Sequence, residues 1–566
     1  MRYEYDPTAP YNLRSVVQGY GTAGAITTGY AYDGLGRVTD VTLGTGAAAR
    51  TTHTDYRADG QVWKITEGYK AGQPITPSQN RITEYGYDEQ GRAQWVKGPD
   101  GRYQQYTAYD VAGRVVWTVR NPINATGQPL LPTGTVVPTY SPLYPDGNVV
   151  TLYGYDGLGR VVLVTETGIL TGTFDPVNQR FSSVTDRVTR TEYDALSRPI
   201  ATTLNYRPTV NGGVFTPQFP DVNVKTLTYY DGAGRVTWQR DALFRWAKTE
   251  YDDFGRVVKT IRNYENGNPT TVDSANLTWT DGSDTDIIAV TQYNTLGQVE
   301  STIDNYVNGI TDATLVSTGW WQITELTTDR ITRYTYDALG RPIQTTANYL
   351  SVFPYETVSN GNYTTRTRYN AQTGQVLATQ DLMGQWNAPK YDVLGRVFYT
   401  TQNCRTTAGA ISDQGADSCQ GLTRPDRNVR TDATFFDALG QPYHVKNVLA
   451  AITQTNYDGL GRPVEMIANY VAGGAINVNT NVKRTTTYVD TGGHEWRTTD
   501  PTNRSTTYRS NALGQVTQVT DAALLTTVAG FDGHGTQRWT RSPANVYAVT
   551  MVLYVSPKLK RNTGAS

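Results

Sequence analysis

The sequence lacks the features that direct a chain of this length to membranes or nucleic acids. No apolar run approaches the roughly 20 residues of a membrane-spanning helix, and the start, MRYEYDPTAP, has no apolar segment like that of a signal peptide. The 50 basic and 51 acidic residues nearly balance, and no basic cluster is long enough to follow a phosphate backbone. We therefore expect neither nucleic-acid binding nor membrane insertion.

Signatures of catalysis and metal binding are also missing. The four histidines, His53, His444, His494 and His534, lack the spacing of metal ligands, and we expect them at surface or strand positions. There is no GxSxG, HExxH, phosphate loop or Rossmann glycine pattern. The acidic stretch DGSDTD at 281–286 lacks the ligand order and distal glutamate of an EF-hand, so we interpret it as a solvated loop. We predict a protein that is not an enzyme and needs no cofactor or metal.

Cysteine is scarce. Cys404 and Cys419 fall in one stretch rich in glycine, serine and aspartate, NCRTTAGAISDQGADSCQ. A disulfide between them would close a loop of about 15 residues and contribute roughly 3 kcal/mol on the chain-entropy model. The alternative is a pair of unlinked thiols in a cytosolic loop. We predict the disulfide, which would indicate an oxidising compartment.

The chain is instead rich in glycine (54 residues), tyrosine (40 residues) and threonine. Stretches with the period of an amphipathic helix are few, whereas β-branched and aromatic residues alternate with polar ones over short runs. Composition is within the ordinary globular range and does not indicate disorder. We predict an all-β protein in which glycine turns join the strands.

One hexapeptide, YDGLGR, occurs three times without change, at 32–37, 155–160 and 457–462. Variants such as YDVAGR, YDGAGR, YDALGR and YDVLGR recur between these copies, and YNTLGQ, FDALGQ and FDGHGT are weaker forms. A hexapeptide that recurs along a whole chain is typical of an array of similar structural units. We therefore interpret it as a building unit and not as a catalytic signature.

Each position of the hexapeptide has a local role in a β-hairpin. The aspartate can accept hydrogen bonds from backbone N–H groups, and the glycine supplies the positive φ that closes a short loop. The arginine begins the next strand, where it can stack on an aromatic ring or pair with the aspartate. We predict this structural role for five representative repeats: Tyr32, Asp33, Gly36, Arg37; Tyr155, Asp156, Gly159, Arg160; Tyr230, Asp231, Gly234, Arg235; Tyr336, Asp337, Gly340, Arg341; and Tyr457, Asp458, Gly461, Arg462.

The spacing of the repeats predicts consecutive hairpins. Copies about 21 to 22 residues apart, such as those at Tyr87 and Tyr109, leave room for two six-residue strands and two tight turns. Longer gaps contain excursions that often begin with Asn-Tyr and continue with proline, asparagine and glycine, as loops or extra hairpins on one side of the array. We predict one continuous array over residues 1–566, with clear repeats at about 5–540 and a carboxy-terminal extension at 541–566.

Tryptophan also follows the repeat. Six tryptophans lie seven or eight residues after a repeat aromatic, and we predict that they occupy one recurring aromatic site: Trp63, Trp95, Trp117, Trp238, Trp496 and Trp539. We expect cross-strand packing at these positions and not stacking on sugars.

The hexapeptide at this spacing resembles the YD repeat of the RHS family, which includes bacterial Rhs proteins, the shell component of Tc insecticidal toxins and the teneurins. The resemblance extends from about Tyr5 to Trp539. It implies a long β-sheet that spirals into a hollow shell or tube, in bacterial members often around a toxic polypeptide. Shell-forming relatives also have a self-cleaving core with a DPxG-type segment. No segment here matches it, so we transfer no protease residue.

Three functions fit these features. The first is a non-enzymatic, secreted β-shell that associates head to tail into an extracellular filament or sheath, because the array lacks polar capping repeats. The second is the encapsulating shell segment of an Rhs or Tc-type toxin, with further parts in a longer chain and an enclosed polypeptide cargo. The third is a surface adhesin that binds glycans through its excursions. The sequence favours the first, at the surface of a bacterium or outside it.

Overall fold

The computed structural model describes residues 1–9, 11–22, 24–134, 136–215, 221–264, 287–304, 330–349, 362–404, 419, 429–447, 449–476 and 479–550. In these ranges the chain forms 38 β-strands and two short 3-10 turns, Gly46–Ala48 and Asn211–Gly213. No helix there is long and apolar enough to cross a membrane. The all-β prediction is therefore confirmed. The acidic stretch at 281–286 and the extension after residue 550 lie outside the described residues.

The strands are short, and most have five to eight residues. In chain order, β1 to β19 are Arg2–Tyr5, Leu13–Gln18, Ile26–Tyr32, Val38–Leu43, Arg50–Tyr56, Val62–Glu67, Arg81–Tyr87, Ala93–Lys97, Tyr103–Tyr109, Val115–Arg120, Val149–Tyr155, Val161–Asp175, Arg180–Tyr193, Pro199–Leu204, Val224–Tyr230, Val236–Arg240, Trp246–Tyr251, Val257–Tyr264 and Ile287–Tyr293. Strands β20 to β38 are Val299–Asp304, Arg330–Tyr336, Pro342–Ala347, Tyr363–Tyr369, Val376–Gln380, Trp386–Tyr391, Val397–Cys404, Val429–Arg430, Ala433–Phe436, Pro442–Lys446, Ile452–Tyr457, Pro463–Ala468, Val482–Tyr488, Glu495–Thr499, Ser505–Ser510, Val516–Thr520, Thr526–Phe531, Gln537–Arg541 and Tyr547–Val549.

Each strand pairs antiparallel with the strand that follows it, from β1 to β27 and again from β28 to β38. Only Thr431 and Asp432 separate β27 from β28, and the N–H of Thr431 donates to the Thr400 carbonyl at 2.7 Å. The chain is therefore a strip of consecutive hairpins, as predicted. No ladder between the described strands closes it into a barrel. The single domain over 1–566 stays a prediction.

The strip has two edges. Turns that contain the hexapeptide lie along one edge, which we call the motif edge. The turns and excursions that join successive hairpins lie along the other, the return edge. Pairing shifts register beside the repeat tyrosines: Tyr155 pairs with Val161, whereas Gly154 pairs with Leu163. Such a shift is typical of a β-bulge, which increases the local twist of a sheet.

Buried side chains form small clusters along the strip. One cluster contains Tyr106, Ala108, Trp117, Val119 and Val150, with Val119 fully buried. Most clusters join neighbouring strands, as in repeat proteins, whereas one cluster packs Trp539 of β37 against Leu170 of β12 and Phe181 of β13.

The tryptophan prediction was only partly right. Five of the six rings pack against aromatic rings of nearby strands, for example Trp117 on Tyr106 and Trp496 on Tyr508, with centroids 5.3 and 5.2 Å apart. Trp63 follows its repeat tyrosine by seven residues instead of eight, and its ring is 39% exposed beside Lys64. Successive side chains on a strand point to opposite faces, so an offset shorter by one residue places Trp63 at a different site.

The strip coils so that its later part lies against its earlier part. Hydrogen bonds join residues 365 to 413 positions apart, always between residues 50–170 and residues 441–538. We call residues 1–193 the first pass and residues 391–550 the second pass. The motif edge of the second pass rests on the return edge of the first, and we call this contact the seam. The spiral that the sequence resemblance implies is present within the described residues.

Candidate functional site at the repeat turns

The turn at Asp156–Arg160 shows the geometry of the hexapeptide. The N–H of Asp156 donates to the Arg160 carbonyl, and the N–H of Gly159 donates to the Asp156 carbonyl, both at 3.0 Å. The Asp156 Oδ1 accepts from the N–H groups of Leu158 at 3.0 Å and Arg160 at 2.9 Å. Gly159 has a φ of 79°, which favours glycine. The aspartate therefore holds the loop closed around the glycine.

The same aspartate binds the arginine side chain. Arg160 Nε donates to Asp156 Oδ2 at 2.7 Å. The pKa of Asp156 is lowered, mainly by the hydrogen bond from the backbone N–H of Arg160 and further by its guanidinium. In the repeat at Asp337 the side chain of Arg341 is the largest cause of the lowered pKa. The aspartates are therefore held as carboxylates by their own turns.

The arginine also reaches the next turn along the motif edge. Its guanidinium lies over the ring of Tyr193 with the Cζ atom 4.8 Å from the ring centroid, and Nη1 donates to the Asp194 carbonyl at 3.1 Å. The hydroxyl of Tyr193 donates back to the carbonyl of Val161, the residue after Arg160, at 2.9 Å. We call the stacking of the arginine on the tyrosine ring, together with the hydrogen bond from the tyrosine hydroxyl, the inter-hairpin clamp.

The clamp recurs along the chain. An arginine at the last repeat position stacks on the next repeat aromatic at 3.6 to 4.8 Å in these pairs: Arg37 and Tyr56, Arg92 and Tyr109, Arg114 and Tyr155, Arg160 and Tyr193, Arg198 and Tyr230, Arg235 and Tyr251, Arg256 and Tyr293, Arg341 and Tyr369, Arg396 and Phe436, and Arg462 and Tyr488. Where glutamine replaces arginine, its amide bonds the next turn: Gln441 Nε2 donates to the Gly461 carbonyl at 3.0 Å.

The five predicted turns do not converge on a cleft. Each repeat tyrosine reaches the preceding hairpin: the hydroxyl groups donate to the carbonyls of Leu13, Val115, Pro199, Val299 and Pro442, from Tyr32, Tyr155, Tyr230, Tyr336 and Tyr457 in that order. The distances are between 2.7 and 2.9 Å. The structure therefore brings together residues of neighbouring turns, two repeats at a time.

The seam is built from polar contacts to backbone. Arg81 Nε donates to the Thr491 carbonyl, and Thr491 Oγ1 donates to the Pro99 carbonyl, both at 2.9 Å. Further along, Arg120 Nη2 donates to the Gly533 carbonyl at 2.8 Å. Because these bonds use backbone carbonyls of tight turns, they require each turn of one pass to lie opposite a particular turn of the other.

Leucines of the second-pass turns add apolar contacts. Leu439, in the turn FDALGQ, is 8% exposed and lies against Gly44 so closely that a Cβ at Gly44 would overlap it. Leu460 makes the equivalent contact with Gly68. Glycine at these return turns therefore leaves the space that a leucine fills.

Two of the four histidines lie in the seam. His494 Nε2 is 3.3 Å from Asp100 Oδ2 of the first pass. The hydrogen bond to Asp100 raises the pKa of His494, and burial opposes it. Burial of Asp100 works to raise its pKa, but the bond to His494 and a backbone hydrogen bond outweigh burial and lower it. Nε2 of His534 lies 2.9 Å from the Thr167 carbonyl.

The other two histidines lie within one pass. His53 Nδ1 lies 2.8 Å from Asp40 Oδ1, and His444 Nε2 lies 3.0 Å from Gln454 Oε1 of the adjacent strand. No cluster of three or more His, Cys, Asp or Glu with the geometry of a metal site occurs in the described ranges.

Sequence reasoning missed a set of asparagines at the bases of the excursions. Asn223 is fully buried; its Oδ1 accepts from the Arg207 N–H at 2.7 Å, and its Nδ2 donates to the Arg207 and Val210 carbonyls. The N–H of Asn223 also bonds the Asn205 carbonyl at 3.1 Å, which closes the loop base. Asn481 repeats the pattern with Val471.

A sequence signal for these asparagines exists. Each stands seven residues before a repeat aromatic, at the end of an excursion and one residue before the next strand. The set is Asn80, Asn148, Asn223, Asn362 and Asn481, before Tyr87, Tyr155, Tyr230, Tyr369 and Tyr488. All five have positive φ, between 50° and 55°. Asparagine tolerates this conformation better than most residues, and its amide can bond both strands of the loop.

Cys404 is the last residue of β26, and Cys419 follows 15 residues later. Cys404 and Cys419 form a disulfide with their Cα atoms 5.2 Å apart. Cys404 is 3% exposed and packs with Ala378 and Ala388 of adjacent strands. The disulfide therefore anchors the base of the excursion that follows β26.

Comparison with known proteins places the fold. No protein-family profile matches the chain, and no curated protein matches it. Among solved structures it is similar to a crystal structure of TcdB2-TccC3 without the hypervariable C-terminal region (TM-score 0.51, 14% identity) and to one of TcdB2-TccC3-Cdc42 (TM-score 0.52, 13% identity). The Photorhabdus luminescens Tc holotoxin pore gives a TM-score of 0.51 at 14% identity.

These likenesses concern the fold alone. The alignments cover 93 to 94% of this chain but only 24 to 26% of the chains it matches. The coiled strip is therefore an architecture that this chain shares with about a quarter of those much longer chains. Membership of the RHS family itself still depends on the resemblance of the repeats.

Proposed function

We propose that this chain is a segment of the wall of a hollow β-shell that encloses another polypeptide, within a toxin complex of the Tc or Rhs kind. The observation that carries the proposal is the seam. Motif turns of the second pass rest on return turns of the first, through bonds such as Arg81 to Thr491 and Arg120 to Gly533. A strip of sheet that meets its own earlier turns surrounds a space.

The inter-hairpin clamps suit this role. The clamp at Arg160 and Tyr193 joins two neighbouring hairpins through a ring contact and a hydrogen bond to backbone, and the ion pair with Asp156 holds the arginine in position. A repeated link with one geometry gives each hairpin a similar rotation relative to the last, and such rotations add up to a regular coil. In this proposal the repeat residues are structural and the wall has no catalytic role.

The fold likeness supports a shell within a larger assembly. The similar structures are of TcdB2-TccC3 and a Tc holotoxin pore, and this chain spans about a quarter of the chains it matches. We therefore expect association with further polypeptide, from a longer chain or a partner. We also propose a location outside the bacterial cell or at its surface, which a disulfide between Cys404 and Cys419 supports.

The filament and the glycan-binding adhesin stay predictions of the sequence, since the fold likeness bears on neither.

Electron microscopy of the purified chain tests whether it forms the wall of a hollow shell. We expect end-on views with low density at the centre and side views in which stacked passes are visible. The variant R81A/R120A removes three seam bonds, from Arg81 to Thr491 and Gly492 and from Arg120 to Gly533, without touching the clamps, and we expect its passes to separate. A solid globule, or an open sheet in the unaltered chain, would contradict the proposal.

Enclosure is tested separately. A natively unfolded polypeptide fused after Ser566 should be digested by protease more slowly than the same polypeptide alone, and R81A/R120A should restore rapid digestion. Equal digestion rates for all three samples would reject enclosure by this segment while leaving the coiled wall intact.

A further inference from the structure

The leucine before the repeat glycine occurs in two environments. It is 72 to 81% exposed at Leu35, Leu158, Leu196, Leu296 and Leu339. At Leu439 it is 8% exposed, and at Leu394 and Leu460 it is half-buried, because these side chains lie against return turns of the first pass. The local turns are alike, so the seam accounts for the difference.

From Leu158 to Leu339 most of the successive motif turns present a large apolar side chain, in the order Leu158, Leu196, Ala233, Phe254, Leu296 and Leu339, whereas the turns after Leu35 present Asp59, Gln90 and Ala112. The clamps hold successive motif turns side by side, as Arg160 does for the turns that carry Leu158 and Leu196. Phe254, at the same repeat position, is 85% exposed. A row of exposed large apolar side chains marks an interaction surface more often than a free one. We call these residues the tip row.

The return edge of the later strands has glycine turns with open space beside them, like the glycine turns that hold leucines in the seam. Gly473, in the return turn between β31 and β32, has a φ of 72°, and no described residue beyond its chain neighbours places an atom within 4 Å of where a Cβ would stand. Gly384, in the return turn between β24 and β25, meets only Gln380 Nε2 at 3.8 Å. In the seam, Gly44 and Gly68 hold Leu439 and Leu460 at such places.

We propose that a second copy of this chain docks on the tip row and places its own free return turns, including those of Gly384 and Gly473, against the exposed leucines. The chain already contains this interface once, as the seam, and among the described residues each half also occurs without a partner. The two surfaces differ, so the contact is heterologous and adds copies head to tail. This inference needs the coiled fold and is independent of any enclosed cargo.

The test measures association of the purified chain by sedimentation velocity over a range of concentrations. We expect the sedimentation coefficient to rise with concentration, and L158K/L196K/L339K to weaken association about tenfold or more, since the row becomes charged. These side chains are exposed, so the variant should keep the circular dichroism spectrum of the unaltered chain. As a matched control, M466K changes a half-exposed methionine on a strand face of β31 and should associate normally.

Mixing two variants tests the polarity of the contact. G384N/G473N obstructs the return turns, and asparagine tolerates their positive φ. Each variant alone should associate at least about tenfold more weakly than the unaltered chain. An equal mixture should form a dimer that grows no further, because each variant keeps only one working half of the interface. A chain that is monomeric at every concentration would overturn the inference. So would association that survives the three lysines, or a mixture that stays monomeric.

Discussion

The hydroxyl of Tyr193 donates to the carbonyl oxygen of Val161, although 32 residues separate them in sequence. The bond ties the start of one hairpin's turn to the returning strand of the hairpin before it, and Arg160 stacks on the same ring. Equivalent bonds recur from Tyr32 to Tyr457. Each of these hairpins is therefore tied to the hairpin before it through its repeat tyrosine.

Removal of that hydroxyl should cost stability while leaving the ring contact in place. We expect Y193F to lower the free energy of unfolding by about 1 kcal/mol, the usual value of one hydrogen bond, and Y193A to cost more because the arginine also loses its ring. The repeat at Phe436 shows that stacking survives without a hydroxyl, since Arg396 lies 3.8 Å from that ring centroid. Thermal unfolding provides the measurement.

A suitable control is Y103F, because the ring of Tyr103 packs edge-on against Trp95 and that contact does not use the hydroxyl. A Y193F variant as stable as the unaltered chain would refute the energetic role of the clamp.

One repeat carries serine where the others carry glycine. Ser197, in YDALSR, has a φ of 62°, and Gly159 at the equivalent place has a φ of 79°. A left-handed conformation costs a residue with a Cβ roughly 1–2 kcal/mol. We expect S197G to raise the melting temperature and G159A to lower it. Ser197 Oγ lies 3.2 Å from Arg160 Nη1. S197A removes this contact but keeps a Cβ at a positive φ, so its comparison with S197G isolates the relief of backbone strain. A melting temperature for S197G below that of S197A would contradict the argument.

The seam should weaken as pH rises. The raised pKa of His494 means that its protonated form stabilises the folded state below its unfolded pKa of about 6.5, and this contribution is lost as pH rises through the raised value. The lowered pKa of Asp100 gives a contribution that is present above about pH 3.9 and lost as pH falls through the lowered value. The ion pair of His494 and Asp100 therefore stabilises the folded state fully between about pH 3.9 and about pH 6.5. Asp490 and Arg102 also act on His494, in opposite directions.

Hydrogen exchange in the turn at 489–495, corrected for the intrinsic effect of pH, measures this dependence. We expect protection to fall from pH 6 to pH 8 in the unaltered chain and to change less in H494Q. The matched control H444Q alters a histidine within one pass and should behave as the unaltered chain does. Equal protection at both pH values would show that the ion pair does not hold the seam.

The asparagines at the excursion bases should be costly to replace. Asn223 is fully buried and bonds Arg207 and Val210, so N223A leaves backbone groups unpaired at about 1–3 kcal/mol. N223D keeps the acceptor oxygen and loses the amide donor, so its stability should lie between those of the unaltered chain and N223A. Cleavage at 205–223 in limited proteolysis should be slowest in the unaltered chain, faster in N223D and fastest in N223A. Unchanged cleavage in N223A would show that the loop base is held by other contacts.

Reduction of the disulfide should destabilise the region around β26. The bridge closes a loop with a sequence separation of 15 residues, and the chain-entropy model gives about 3 kcal/mol for a loop of that length. The melting temperature should fall with reductant, whereas C404S/C419S should be unaffected by it. An unaltered chain that melts equally with and without reductant would exclude this contribution.

The hairpins could be predicted from the sequence because all their determinants are local. Asp156, Gly159 and Arg160 lie within five residues, and the turn they form follows from backbone geometry. The seam could not be predicted. Arg120 and Gly533 meet only because many small rotations between hairpins add up to one circuit, and no single residue specifies that sum. The asparagines could have been found, since their offset from the repeat is as regular as that of the arginines.

The closed bases of the excursions have a consequence for how such a protein changes over time. With Asn205 and Asn223 bonded across the neck, the intervening residues make no demand on the register of the strands that flank them. A segment at such an excursion can be exchanged, lengthened or given new chemistry while the strands that flank it keep their pairing.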